Sequence, residues 1–320
     1  MTYESPRILS DRSSLAGLPD WVTNRSGESA QNVAFLSGAS FALLDMILMQ
    51  KGECVPKVLL ANTLALQASA ATSRLEGRMA RETDIRDAFH LTPAGDALGP
   101  DGDMLAFWRA TVRLSLRGSG WIGRVATQAD DCLSDDVPHW IAEAIDAANQ
   151  IGPLAAASDV IGTVVRADGR AERLACVLAD VVLAKSLGWD HPLPLTAHHL
   201  KKAMLRDLRD GKTETGTAVQ EALAKGAQSA YQVARTLTWR SDVLKAVAPK
   251  LRTRGSEDAV ALFLREDAVA PSSMLSPRIQ GTSTPMTGRA ARRLCYRLVE
   301  LGAVRELTGR STFRLYGIAP

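Results

Sequence analysis

The sequence predicts a mainly α protein: a large helical bundle followed by a small C-terminal unit that ends in a β-hairpin. Three observations carry this. Aromatic residues are only 5% of the 320 residues, while Ala and Leu are abundant, a balance that favours packed helices over a sheet sandwich. Apolar residues recur at helical spacing from Asn32 to Leu251, and no strand alternation precedes residue 300. From residue 278 onward both charge and pattern change. The length suits about two domains, with an all-helical domain expected over 1–254 and a smaller one over 255–320.

Residues 1–30 are polar and predict an irregular arm. Met1 to Asp20 carries Glu4, Arg7, Asp11 and Arg12 without an apolar core segment, so no signal peptide is expected. Two long helical patterns fill Asn32–Gly77 and part near Lys51-Gly52. The apolar run Ala34–Met49 is interrupted by Asp45 and is under about 18 residues, which predicts a buried core helix and no membrane span. Val55–Leu75 is apolar on nearly all sides and should be central. A short amphipathic helix is expected over Arg81–Phe89, then a loop over 92–103. Further helices are expected at Met104–Leu116, Ile122–Leu133, Pro138–Gln150, Pro153–Arg166 and Ala171–Leu187. Pro138 suits a first helical turn, with Asp135 or Asp136 as cap. After the proline-broken Trp189–Leu195, Thr196 is the expected cap of a helix running to about Arg209. Two helices should cover Thr217–Leu237 and Ser241–Leu251.

Charge then separates the two parts. Residues 278–320 hold eight Arg, no Lys and two acids, Glu300 and Glu306, so the segment is +6. The other 277 residues are −3, which together give the chain's +3. A near-neutral body with a basic C-terminus is the arrangement of a nucleic-acid-binding chain. Ser256 predicts the start of one helix, and a Pro/Ser-rich stretch follows from Pro271 to Pro285. Thr287 then caps a helix that Gly302 stops. At about 100° per residue, Ala291, Leu294, Leu298 and Leu301 share one face of it. Arg289, Arg292, Arg293 and Tyr296 lie opposite, flanked by Arg297. Ala303–Leu307 and Ser311–Ile318 read as short strands joined by Thr308-Gly309-Arg310. Helix, helix, basic helix and hairpin is the order of a winged helix-turn-helix. Its basic helix fits the DNA major groove, where Arg bonds phosphates and guanine edges. Arg310 at the hairpin tip would reach an adjacent phosphate. The expected DNA-binding residues are therefore Arg289, Arg292, Arg293, Tyr296, Arg297 and Arg310.

Residues 293–316, RLCYRLVELGAVRELTGRSTFRLY, are similar to the winged helix attached to many Fic-type proteins. Glu306, Thr308, Gly309, Arg310, Arg314 and Tyr316 match that pattern. Over nearly its whole length the chain resembles an uncharacterised bacterial family, domain-of-unknown-function family 1403. Thr72–Arg78, Leu187–Leu195 and the C-terminus carry that resemblance, which implies no known activity. Thr72-Ser-Arg-Leu-Glu76-Gly77 also matches the helix that restrains Fic adenylyltransferases. The catalytic His-x-Phe-x-[Asp/Glu]-Gly-Asn-Gly-Arg loop of those enzymes is absent, so Glu76 is expected to serve a helix-end salt bridge or cap.

No catalytic, cofactor or metal site emerges. His191, His198 and His199 cluster near Asp190, without a metal-binding spacing. Asp130, Asp131, Asp135 and Asp136 around Cys132 read as solvated helix-end caps, and Asp101-Gly102-Asp103 as a turn. Trp108, Trp121, Trp140 and Trp189 sit among apolar positions and should be core. Cys54, Cys132, Cys176 and Cys295 form no C-x-x-C pair, which fits a reducing cytoplasm. The expected function is non-enzymatic binding of double-stranded DNA, as a regulator or plasmid-associated factor, with a homodimer as one use of the helical body. The alternatives are a protein-interaction scaffold whose winged helix never touches DNA, a degenerate Fic-like protein, and an enzyme with an unrecognised helical site.

Overall fold

A computed structural model describes residues 15–23, 29–49, 55–129, 133–212, 214–310 and 312–318. Cys54, Cys132, Asp130, Asp131, Ser311 and most of the expected N-terminal arm lie outside them. The described helices are α1 (Asp20–Thr23), α2 (Ala30–Met49), α3 (Lys57–Leu75), α4 (Glu82–Leu91), α5 (Gly99–Thr111), α6 (Trp121–Ala126) and α7 (Val137–Ile151). There follow α8 (Pro153–Ala167), α9 (Glu172–Ser186), α10 (Lys202–Arg209), α11 (Thr215–Val247), α12 (Ser256–Phe263) and α13 (Gly288–Glu300). A two-stranded antiparallel sheet, β1 (Arg305–Glu306) and β2 (Tyr316–Gly317), closes the chain. The fold is thus mainly helical.

The core runs along α9, in which every residue from Leu174 to Ala184 is buried. Such a helix is apolar all round because helices cover it on all sides. Helix α3 is nearly as buried, as its pattern predicts. Gly152, at φ 89°, ends α7, and Pro153 opens α8, the glycine-stop and proline-start asymmetry of helix ends. Trp108, Trp140 and Trp189 are buried, and Trp121 is partly buried beneath the Lys185 ammonium.

Several expectations need correction. The 92–103 loop ends early, because Pro100 and Asp101 suit a first helical turn and α5 begins at Gly99. Helix α6 is cut to six residues. The two helices expected beyond Thr217 are one helix of 33 residues. Thr238-Trp239-Arg240 holds no Gly or Pro, and Thr238 and Ser241 are buried, so packing overrides their modest propensity. Helix α2 is 20 residues and, by length and composition, could cross a membrane. It is also not fully buried. It packs on α11 but leaves Phe35, Met46 and Met49 exposed.

Thr196 caps no helix, since α10 starts only at Lys202. Its amide and hydroxyl donate to the Asp180 carboxylate at 3.0 and 2.6 Å, and the Leu195 amide donates at 3.0 Å. Burial pushes the Asp180 carboxyl up to about 7 despite those bonds. The loop so held presses on α11 at Gly226, where a Cβ would lie 2.2 Å from the Leu195 carbonyl oxygen. Only glycine fits there.

The C-terminal segment is pinned to the body by a buried ion cluster across the expected 254–255 boundary. Arg109 of α5 donates to Glu266 at 2.9 Å and to Asp267, and His90 of α4 contacts Asp267 at 3.4 Å. Burial opposes the Asp267 charge, but Arg109 and His90 outweigh it and hold its pKa at about 2. Asn62 of α3 adds a bond to the Arg265 carbonyl at 2.8 Å.

Arg109→Met leaves two buried carboxylates without their counter-ion and should cost about 3–5 kcal/mol in urea unfolding. Asp267 has a depressed folded pKa, so its stabilisation is present above the usual Asp value and is lost as pH falls toward about 2. Wild type should therefore lose stability across that acid window, and the variant should have lost most of this dependence.

Candidate nucleic-acid interface

Helix α13 begins as its sequence requires: the Thr287 hydroxyl accepts from the Ala290 amide at 3.3 Å. Its end is set by Gly302 at φ 69°. Ala291, Leu294, Cys295 and Leu298 are buried on the inner face. Burial pushes the Cys295 thiol up to about 12, so it is a packing residue rather than a nucleophile. Helix α12 is preceded by left-handed Gly255, and Ser256 makes no cap bond.

The structure places all six expected residues on the surface. Arg289, Arg292, Arg293, Tyr296, Arg297 and Arg310 are exposed. Arg289, Arg292 and Arg293 make no ion pair among the described residues. The other three are engaged. Arg297 pairs with Glu300 at 3.1 Å one turn on. The Tyr296 hydroxyl accepts from Arg314 at 3.3 Å, and the Arg314 guanidinium lies 5.7 Å from its ring centroid. Arg310 reaches back to Asp87 of α4 at 3.2 Å, so it serves the join between hairpin and body.

The hairpin is short, and its turn explains its sequence. Glu306 accepts from the Thr308 hydroxyl and from the Thr308 and Gly309 amides. Burial opposes the charge of Glu306, but these bonds outweigh it and lower its pKa. The Leu307 amide bonds the Leu315 carbonyl at 2.8 Å and extends the pairing by one bond. Val269, ahead of α13, exchanges backbone bonds of 2.7 and 3.0 Å with Tyr316. A third extended segment therefore joins the hairpin. A further bridge links Arg278 and Pro285. Both are isolated bridges rather than strands, in keeping with a sequence that shows no strand alternation before residue 300.

Sequence reasoning missed a second positive feature. Burial and the charge of Arg305 on β1 lower the pKa of Arg240 on α11, whose Nε is buried without a hydrogen bond. It could not be read because α11 was expected to break at that point.

Among the remaining polar candidates, Glu76, His191 and His199 are engaged structurally. Glu76 pairs with Arg173 at 2.8 Å and with Arg78 at 3.6 Å. His191 contacts the Leu114 carbonyl at 3.0 Å, and His199 contacts the Ser229 hydroxyl at 2.8 Å. Burial, with His198 and Lys225 nearby, pushes His199 down to about 4. Asp136 precedes α7 without a side-chain cap bond. Asp101 lies in the first turn of α5, not in a loop turn.

A family model described as "Protein of unknown function (DUF1403)" matches residues 6–318. No curated protein matches the chain.

Thr287→Ala removes the cap of α13 and should lower stability by about 1 kcal/mol, whereas Thr287→Ser should retain most of it. Urea unfolding followed by circular dichroism measures both.

Proposed function

The chain belongs to the DUF1403 family of proteins of unknown function, and from its own surface we propose that it binds double-stranded DNA through α13, without a catalytic role. The carrying observation is the outer strip of that helix, where Arg289, Arg292 and Arg293 are exposed and lack ion pairs among the described residues. Three uncompensated guanidinium groups on one face suit phosphate oxygens and guanine edges in the major groove. A helix about 10–12 Å across also matches a groove about 12 Å wide.

The order α12, extended Val269, α13 and hairpin supports a winged helix-turn-helix reading. So does the similarity of residues 293–316 to the winged helices of Fic-type proteins. The helical body would then fix the reading helix and offer a face for assembly. The exposed Phe35, Met46 and Met49 of α2 favour a second reading, in which the chain is a scaffold for a protein partner.

The two readings separate by anisotropy of a labelled random-sequence duplex with the full chain over a range of salt. DNA binding requires a linear fall of log affinity with log salt, since each neutralised phosphate releases counter-ions. Arg292→Ala combined with Arg293→Ala should weaken binding several-fold or more and flatten the slope by about two. Weak binding that ignores salt, or a variant indistinguishable from wild type, favours the scaffold.

A further inference from the structure

A groove of about 790 Å³ separates α13 from the segment Pro249–Thr253 at the end of α11. Lys250 and Arg252 line one side, and Arg293 and Arg297 the other. The groove's one acid, Glu300, is already paired with Arg297. Lys250 and Arg252 are exposed and make no ion pair among the described residues. Four cations therefore share a cleft with one committed carboxylate. Like charges gathered in this way repel one another unless an anion joins them.

The segment is held in place by the chain around it. Pro249 fixes the 3-10 turn Ala248–Lys250 that extends α11. Gly255, at φ 80°, closes the segment, and a Cβ there would lie 2.8 Å from the Thr284 side chain and 3.1 Å from Ile279. The wall thus runs from the end of α11 to Gly255, which packs against the 279–284 turn.

Its side of α13 also matters. At about 100° per residue, Arg293, Leu294 and Arg297 face this wall. Tyr296 lines the groove as well, and on its other side it meets Tyr316 and Arg314 at the hairpin. The strip carrying Arg289 lies between the two. A helix seated in a major groove has a phosphate backbone along each flank. The hairpin bounds one flank here, and the Pro249–Thr253 segment bounds the other.

We infer that Pro249–Thr253 is a second DNA-binding wall, on which Lys250 and Arg252 take phosphates of the backbone strand running beside α13. This deepens the reading of α13 as a DNA-contacting helix and rests on it. The helical body is then part of the binding site, and contact extends beyond residues 255–320. Phosphate contacts of this kind set position and affinity without reading sequence.

The test is a salt titration of random-sequence duplex binding by the full chain, with Lys250→Ala combined with Arg252→Ala. Both side chains are exposed, and unchanged far-UV circular dichroism confirms the fold. The double variant should bind several-fold more weakly, with a log–log slope shallower by about two. Lys250→Ala combined with Arg252→Lys should restore about one unit of that slope. Lys201→Ala combined with Lys202→Ala, two exposed cations outside the groove, should leave the slope unchanged. If Arg292→Ala combined with Arg293→Ala flattens the slope but the Lys250/Arg252 variant matches wild type, the second wall is wrong while α13 stands. If wild type shows no salt-dependent binding, the DNA reading fails and the second wall falls with it.

Discussion

The placement of the C-terminal segment depends on one buried guanidinium. Arg109 of α5 reaches Glu266 and Asp267, just beyond α12, with His90 as a further contact. Burying charge is costly, and a buried pair stabilises only when geometry and hydrogen bonding are good. Here the compensation is incomplete, because Arg109 Nε and Asp267 Oδ2 have no hydrogen-bond partner. The cluster therefore acts more as a register pin than as a source of stability. Two carboxylates in consecutive positions meet one cation at one place on the body, and a shifted docking would strand them. Backbone bonds from Val269 to Tyr316 then carry that register into the hairpin.

With this join made, α13 has little freedom to choose which side it shows. Its apolar positions are spent on the inner face, and its arginines are left outward. Arg310 shows the same logic from the other direction. At the tip of a hairpin it would be free to search, but Asp87 holds it against α4, and Arg86 beside it bonds the Leu307 carbonyl at 3.0 Å. The hairpin is thereby anchored to the body and stands as a fixed neighbour of α13. Charge on this end of the molecule is arranged by docking as much as by composition.

Much of this was legible in sequence where the signal is local. The inner face of α13, its Thr287 cap, its Gly302 stop and the Glu-x-Thr-Gly turn each follow from residues within a few positions of one another. So do the bounds of α7, α8 and α9, punctuated by Gly and Pro. What could not be read depends on distant partners. Thr196 has the residue type of a helix cap, yet its donors go to Asp180, sixteen positions away. The break expected near Thr238 vanishes because burial, not propensity, decides that stretch of α11. The Arg109 cluster leaves no trace in sequence, since single acids and bases at such separations form no pattern. Lys250 and Arg252 read as ordinary surface charges until the fold sets them across a cleft from Arg293 and Arg297.

The central claim is that the exposed arginine strip of α13 meets a polyanionic duplex. It is tested most directly by photocrosslinking the full chain to a bromodeoxyuridine-substituted duplex and mapping the crosslinked peptides. Crosslinks should concentrate in residues 288–300, with Tyr296 the favoured aromatic acceptor, and should be lost at high salt. Crosslinks confined to other surfaces, or insensitive to salt, would contradict it.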